Sequence, residues 1–277
     1  MGGTMITVEN LSVRFGGIRA VDNLSLAVER GESILLAGAN GAGKTTLLRA
    51  LAGVLRPQAG SIRFDGLKAS AEGRRKIAYL SASISLYDGL SVAEAVRLHG
   101  HYFGHDRSLE IQGLRLPPRQ RIATLSKGEK TLFFLSMAMA AAPEYLLIDD
   151  VIHFLDPHLR EVFLDSVLRL IEEKKLTLIM SSQSASEIEG LPDRVLVMEK
   201  GRIVIDEAVE ALKRKFVRLY GQQLPPELPV VYSKDWQGTR EVYIYPYQPE
   251  VQRLEGIEHL NLREILRALI GGEYDRH

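Results

Sequence analysis

The chain has 277 residues, with 35 Lys+Arg matched by 35 Asp+Glu and no cysteine. The charge balance removes any global pull toward nucleic acid or an anionic membrane, and the missing thiols exclude disulfides and thiolate metal sites. With 45% hydrophobic residues the chain can build a full core, as one large domain plus an appendage or as two modest domains.

The longest apolar run, TLFFLSMAMAAAP (131–143), is shorter than the roughly 20 residues of a membrane helix and reads as a buried helix. The N-terminus lacks a basic start followed by an apolar core, so no signal peptide is expected. Ile6 stands where a myristoylation pattern wants Ser or Thr. The expected location is cytoplasmic, which the absence of cysteine suits.

In chain order, ITVENLSVRF and LSLAVER read as strands. ESILLAGA is a continuous apolar run, as in a strand buried on both faces. It enters NGAGKTTLLRALAGVLRP, a glycine-rich turn and a helix ending near Gly53. GSIRFDG is a strand closed by an Asp-Gly turn, and RKIAYLS is a short strand. SVAEAVRLHGHYFG is a helix with Ser91 as N-cap and Glu94 three residues on. PPRQRIATL is loop, SKGEKTLFFLSMAMAAAP a helix stopped by Pro143, and EYLLIDD a buried strand. A helix (PHLREVFLDSVLRLIEEK), a strand (LTLIMSS), a short helix (SASEIEGL) and a strand pair turning at Lys200–Gly201 follow. Alternation of strands and helices to about residue 206 predicts a largely parallel sheet with helices on both faces. Beyond it, Val209, Leu212, Phe216 and Leu219 read as one helical stripe stopped at Gly221. QQLPPELP is a linker, VVYSKDW and REVYIYPY flank Gln237–Gly238 as a hairpin, and NLREILRALIGG is a last helix capped by Asn261.

Gly38–Thr45, GANGAGKT, fits G-x-x-x-x-G-K-[ST] between a buried strand and a helix, the context that motif requires. Its glycines, Gly38, Gly41 and Gly43, let backbone N–H groups curl around phosphate oxygens at a helix N-terminus, with Asn40 and Thr46 among the contacting positions. Lys44 can reach the outer phosphates, and the Thr45 hydroxyl can ligate Mg²⁺. A bound nucleotide with Mg²⁺ is therefore expected. Two adjacent carboxylates end the strand YLLIDD. In such folds an acid there holds Mg²⁺, the role of Asp149, and Asp150 then faces the γ-phosphate as base or water-positioning group.

With these motifs the chain resembles the ATP-binding subunits of ABC transporters, which implies that the nucleotide is ATP. LSKGE (Leu125–Glu129) is similar to the family signature, usually LSGGQ, and lies before a helix just upstream of LLIDD. FLDP resembles the D-loop, with Leu155 and Asp156, and VRFGG places Phe15 where the family stacks an aromatic on adenine. VAEAVRLHGHYFG and DRVLVMEKGRIV are similar to exporter subunits whose membrane partner is a separate chain. The resemblance spans roughly residues 5–206. It implies a P-loop NTPase fold with a mostly parallel sheet, an N-terminal antiparallel β part and a helical subdomain at about 83–142. It also implies a head-to-tail dimer, in which Ser126 and Gly128 contact the nucleotide held by the second ATP-binding subunit of a homodimer or heterodimer.

Three positions depart from the family near the γ-phosphate. Asp150 replaces a catalytic glutamate and is shorter by about 1.5 Å. A misplacement of about 1 Å can cost ~10²-fold in rate. Gln183 stands at the switch histidine and cannot become a cation near neutral pH. Ala82 stands at the Q-loop glutamine, with Ser81 or Ser83 in reach if the alignment slips by one residue. These are either tolerated variants of an ordinary ATPase or marks of a site that binds ATP tightly and turns it over slowly; their coincidence favours the second. The segment Gly104–Ala123 leaves little room for a full helical subdomain, which is expected to be trimmed.

His99, His101 and His105 fit no standard metal spacing, and His153 reads as structural. Lys213–Arg218 reads as a solvated helix face, or as one turned to anionic headgroups. The expected organisation is an ATP-binding domain at 1–206, a linking helix at 207–221 and a small α+β extension at 222–277 for dimerisation or regulation. The expected function is an ATPase on the inner face of the cell membrane, driving a separate integral-membrane permease. The competing reading is a non-hydrolysing nucleotide sensor that gates or assembles a membrane complex. No nucleic acid partner is expected, because there is no basic excess.

Overall fold

In the computed structural model the described residues are 4–68, 73, 76–81, 87–104, 116–174, 176–182, 188, 190–221, 228–236, 239–248, 254 and 256–271. Ala82, Ser83, His105, Gln183, the Gln237–Gly238 turn and most of SASEIEGL lie outside them.

Strands β1 (Thr4–Phe15), β2 (Ile18–Glu29), β4 (Ala59–Phe64) and β5 (Leu67–Lys68) form an antiparallel sheet in the order β2-β1-β4-β5. A second sheet comprises β3 (Ser33–Ala37), β6 (Ile77–Ser81), β7 (Tyr145–Asp149), β8 (Thr177–Ser181), β9 (Arg194–Glu199) and β10 (Arg202–Ala208). Its order is β10-β9-β3-β8-β7-β6, parallel except for β10. The five residues of β3, β7 and β8 are all buried, as expected of central parallel strands covered on both faces.

Alternation along these strands divides the core. Ile34, Leu36, Tyr145 and Leu147 face the antiparallel sheet and helix α1 (Lys44–Leu51). Leu35, Leu146 and Ile148 face helices α3 (Lys127–Ala140) and α4 (Pro157–Lys174). Each such buried aliphatic side chain is worth about 1.5–3 kcal/mol of transfer free energy. Helix α2 (Val92–Phe103) carries the predicted capping box of Ser91 and Glu94. The predicted turns at Asp65–Gly66 and Lys200–Gly201 are present, with Asp65 (φ 49°) and Lys200 (φ 48°) in the left-handed region.

The predicted linking helix over 207–221 is corrected. Strand β10 runs on to Ala208, helix α5 covers only Val209–Lys215, and Val217–Tyr220 is strand β11. Phe216 leaves the helical region (φ −107°, ψ 115°) with its side chain in the main core, while Val217 and Leu219 face a separate cluster with Val242 and Ile244. That alternation is a strand period, and β11 pairs with β13 (Thr239–Ile244) and β14 (Glu258–His259). With β12 (Val230–Trp236) they form a third sheet, β12-β13-β11-β14. Helix α6 (Leu262–Gly271), capped by Asn261 as predicted, inserts Leu262, Ile265 and Leu266 into the same core as α3 and α4. The extension is therefore built onto the cassette, not tethered to it.

Candidate nucleotide site

Strand β3 delivers the phosphate loop at the carboxyl end of the parallel sheet. Two glycines are fixed by close approach of backbone. A Cβ on Gly38 (φ +146°) would lie 2.4 Å from the Met198 carbonyl oxygen. One on Gly43 (φ +108°) would lie 2.2 Å from that of Ala20. Gly41 (φ +81°) and the exposed Asn40 form the tip, and a Cβ on Gly41 would meet open space. The Lys200–Gly201 turn braces the loop, because the Gly201 N–H donates to Ala42 O at 2.9 Å. Helix α1 starts at Gly43 with no side-chain cap and no acid in its first turn, where Thr46 is half-buried. Its N-terminal amides and dipole are left to an anion.

Lys44 is buried, and its ammonium donates to Gly38 O (2.5 Å) and Ala39 O (2.9 Å). Burial lowers its pKa, and the charges of Asp150 and Asp149 oppose that shift. Among the described residues its hydrogen bonds go to two loop carbonyls and none to a carboxylate, so a phosphate would add a directly bonded anionic partner.

Asp149 is 4% exposed, yet three hydroxyls hold it. Its Oδ1 accepts from Thr45 Oγ1 (2.9 Å) and Ser181 Oγ (3.0 Å), and its Oδ2 accepts from Tyr79 OH (2.9 Å). The register explains the convergence, since Ser81, Asp149 and Ser181 are aligned across β6, β7 and β8. Burial raises the Tyr79 pKa, and the Asp149 charge adds to it. Neither Tyr79 nor Ser181 was singled out from the sequence; both follow once the strand order sets their neighbours. Among the described residues no cluster of three or more His, Cys, Asp or Glu could hold a metal. One carboxylate beside one hydroxyl suits Mg²⁺, which usually takes few protein oxygens and completes its shell with water and phosphate.

Asp150 follows with φ +53°, a left-handed conformation that aspartate tolerates better than most residues. Its Oδ1 lies 3.4 Å from Nδ1 of His153, so the histidine read as structural sits beside the candidate catalytic carboxylate. Phe15 stands at the end of the β1–β2 hairpin, 53% exposed.

The family model described as ABC transporter matches residues 21–153. The chain is 31% identical over 225 residues to the ABC transporter ATP-binding protein NatA of Bacillus subtilis, across 75% of this chain and 91% of that one. It is 32% identical over 225 residues to the high-affinity branched-chain amino acid transport ATP-binding protein BraG of Pseudomonas aeruginosa, across 75% and 94%. The chain belongs to the ABC transporter ATP-binding family. Its fold is likewise that of a solved ATP-binding subunit of an ABC transporter, with a TM-score of 0.68 at 24% identity over 76% of this chain and 92% of that one. The dimeric cassette MJ0796 bound to ADP and Pi gives 0.64 at 21% identity, over 74% and 98%.

Within this ABC ATPase the remaining predicted residues stand apart from the phosphate loop. Ser126 is the exposed N-cap of α3 in a capping box with Glu129. Its oxygen accepts from Glu129 N at 3.2 Å, which leaves the hydroxyl proton to donate. Gly128 is buried, and a Cβ there would lie 2.6 Å from Leu159 Cδ1, so close packing of α3 on α4 already calls for a small residue. Asp156 caps α4, with Oδ1 accepting from Leu159 N at 2.9 Å ahead of Pro157 at the first helical position. No hydrogen bond or ion pair among the described residues joins Phe15, Ser126, Gly128 or Asp156 to the loop.

Proposed function

We propose that this ABC ATP-binding subunit holds ATP at a dimer interface, hydrolyses it slowly at its own site, and drives a separate membrane permease from the cytoplasmic face. Lys44, the loop amides of Gly38–Gly43 and the first turn of α1 at Thr45 and Thr46 bind the phosphates. Phe15 stacks on the adenine, and Ser126 and Gly128, with Asp156 at the D-loop, meet the nucleotide of the second subunit. Mg²⁺, when bound, supplies charge neutralisation at the outer phosphates, with Thr45 and Asp149 holding it. Asp150 and Gln183 approach the γ-phosphate and orient the attacking water.

The observation that carries slow turnover is Asp150. It combines a short carboxylate with a left-handed backbone and a histidine neighbour at 3.4 Å. A carboxylate so engaged is drawn away from a water that a longer side chain would reach. Single-turnover hydrolysis by the wild type and by Asp150→Glu with Gln183→His tests this. The double variant is expected to be faster by ~10²-fold. Equal rates would sink the slow-site reading.

A membrane partner is supported by the exposed Leu98, Tyr102 and Phe103 of α2, beside an apolar groove between the edge strand β6 and helices α2 and α3. Among the described residues no helix is long and apolar enough to cross a membrane. Co-purification with the permease, lost in Tyr102→Asp with Phe103→Asp, tests the docking.

A further inference from the structure

The C-terminal extension holds a polar pocket that opens to solvent. A pocket of about 300 Å³ lies between the third sheet and α6, at the lower end of the size range for small-molecule sites. Three cations line it, Arg218, Lys234 and Arg267, together with two carboxylates, Glu241 and Glu264.

The carboxylates are already committed. The Glu241 side chain, 9% exposed, accepts from the Tyr243 hydroxyl, from Lys234 Nζ at 3.0 Å and from Arg218 Nη1 at 3.5 Å. Glu264 accepts from Asn261 N at 3.1 Å and lies 3.8 Å from Arg218. Glu258, next to the pocket, takes Arg218 Nε at 3.0 Å and Nη2 at 2.7 Å.

The donors are not exhausted. Among the described residues Lys234 has one carboxylate partner for three N–H groups. Arg267 is exposed on α6 and makes no ion pair or hydrogen bond among the described residues. The Arg218–Glu241–Glu264 network links α6 to the sheet without a contact from Arg267 among the described residues. Counting Glu258 makes the group electrically neutral, but the surplus of donors remains. What complements such a surplus is an acceptor with negative charge.

We propose that this pocket is a binding site for a small anion bearing a carboxylate or phosphate group, held by Lys234 and Arg267 over the Arg218 network. The site stands independently of the ATPase reading. Its position gives it a consequence: Ala268 lines both this pocket and the cavity beside Gly38–Ala42, and the consecutive residues Val231 and Tyr232 line one each. An occupant would brace the helix that walls the phosphate loop.

The test is calorimetric titration of the full nucleotide-free chain at fixed ionic strength, first with malonate. Inorganic phosphate is then used in a Lys44→Gln background that disables the phosphate loop. One saturable site is expected for at least one probe. It should weaken tenfold or more in Arg267→Gln and in Lys234→Gln, and stay unchanged in Arg214→Gln, an exposed arginine of α5 outside the pocket. Unfolding midpoints confirm that the variants are folded. Binding of a soluble probe assigns the site to a free anion. Arg267-dependent adhesion to phosphatidylglycerol vesicles, without soluble binding, assigns it to a lipid headgroup. If neither occurs, or if Arg267→Gln binds like the wild type, there is no anion site.

Discussion

Tyr79→Phe isolates how the cassette tolerates a buried carboxylate in the absence of nucleotide. The phenol donates at 2.9 Å to Oδ2 of Asp149, whose residue is 4% exposed, while Thr45 and Ser181 both serve Oδ1. Removing the hydroxyl keeps the ring and its packing but leaves Oδ2 without that donor. A hydrogen bond to a charged group is worth about 1.5–3 kcal/mol net. Arg49 also reaches the Tyr79 hydroxyl, so part of the loss falls on the arginine, and about 2 kcal/mol is expected overall. In a chain of this size about 1 kcal/mol moves the unfolding midpoint by 2–4 °C, so a fall of about 4–8 °C follows. The assay is thermal and urea unfolding in a chelator, repeated with ATP and Mg²⁺. With ligand present the deficit should shrink, because the cation near Asp149 offsets the lost donor. A change below about 0.5 kcal/mol, or a deficit of the same size with and without ligand, would refute the reasoning.

Lys44→Gln should weaken ATP ~10–10²-fold by equilibrium binding, the value of about one charged hydrogen bond or two. Asp149→Asn should instead erase the gain in affinity that Mg²⁺ brings and leave metal-free binding intact. Phe216→Ala, at a fully buried position, should cost about 3–5 kcal/mol in urea unfolding. Burial, reinforced by Glu241, pushes the Tyr243 hydroxyl up to about 12, and burial with Glu207 does the same for Tyr245. Their neutral forms therefore favour the folded state fully below the ordinary tyrosine value of 10, and that contribution is lost as pH rises through about 12. Tyr245→Phe should flatten the alkaline limb of stability against pH. Asp150→Gly should change stability by less than about 1 kcal/mol, because freedom from strain at φ +53° offsets the lost side-chain contact and the added unfolded-state entropy, while hydrolysis falls; a loss well above that would contradict the backbone account.

The phosphate loop was legible because its parts are contiguous in sequence and bounded by a buried strand and a helix. Asp149 was legible for a related reason: an apolar run ending in charge marks the carboxyl edge of a parallel sheet. Tyr79 and Ser181 were not, because they meet Asp149 only through the order β8-β7-β6, which no local pattern states. His153 reaches Asp150 through the one-turn helix Ile152–Phe154, a step too short to carry periodicity. The stretch from Phe216 to Tyr220 was misread for a physical reason. Val209, Leu212, Phe216 and Leu219 satisfy a helical stripe, while Phe216, Val217 and Leu219 satisfy two opposite faces of a strand. Tertiary pairing with β13 and β14 decided between them.

Asp150 joins the two halves of the argument. A left-handed residue costs most side chains about 1–2 kcal/mol, and aspartate is among the few that offset this by local hydrogen bonding. The conformation turns the chain sharply after β7, so that Asp149 stays buried among hydroxyls while Asp150 lies partly exposed beside His153. A glutamate there would extend further, toward the γ-phosphate in the proposed site, but lose the short-range contacts available to aspartate in this backbone conformation. The aspartate that would shorten a catalytic reach, in the proposed role, therefore suits the left-handed backbone at this position. Under the slow-site proposal, stability at the end of β7 and hydrolytic speed pull on this position in opposite directions, with aspartate favouring retention of the nucleotide over its hydrolysis.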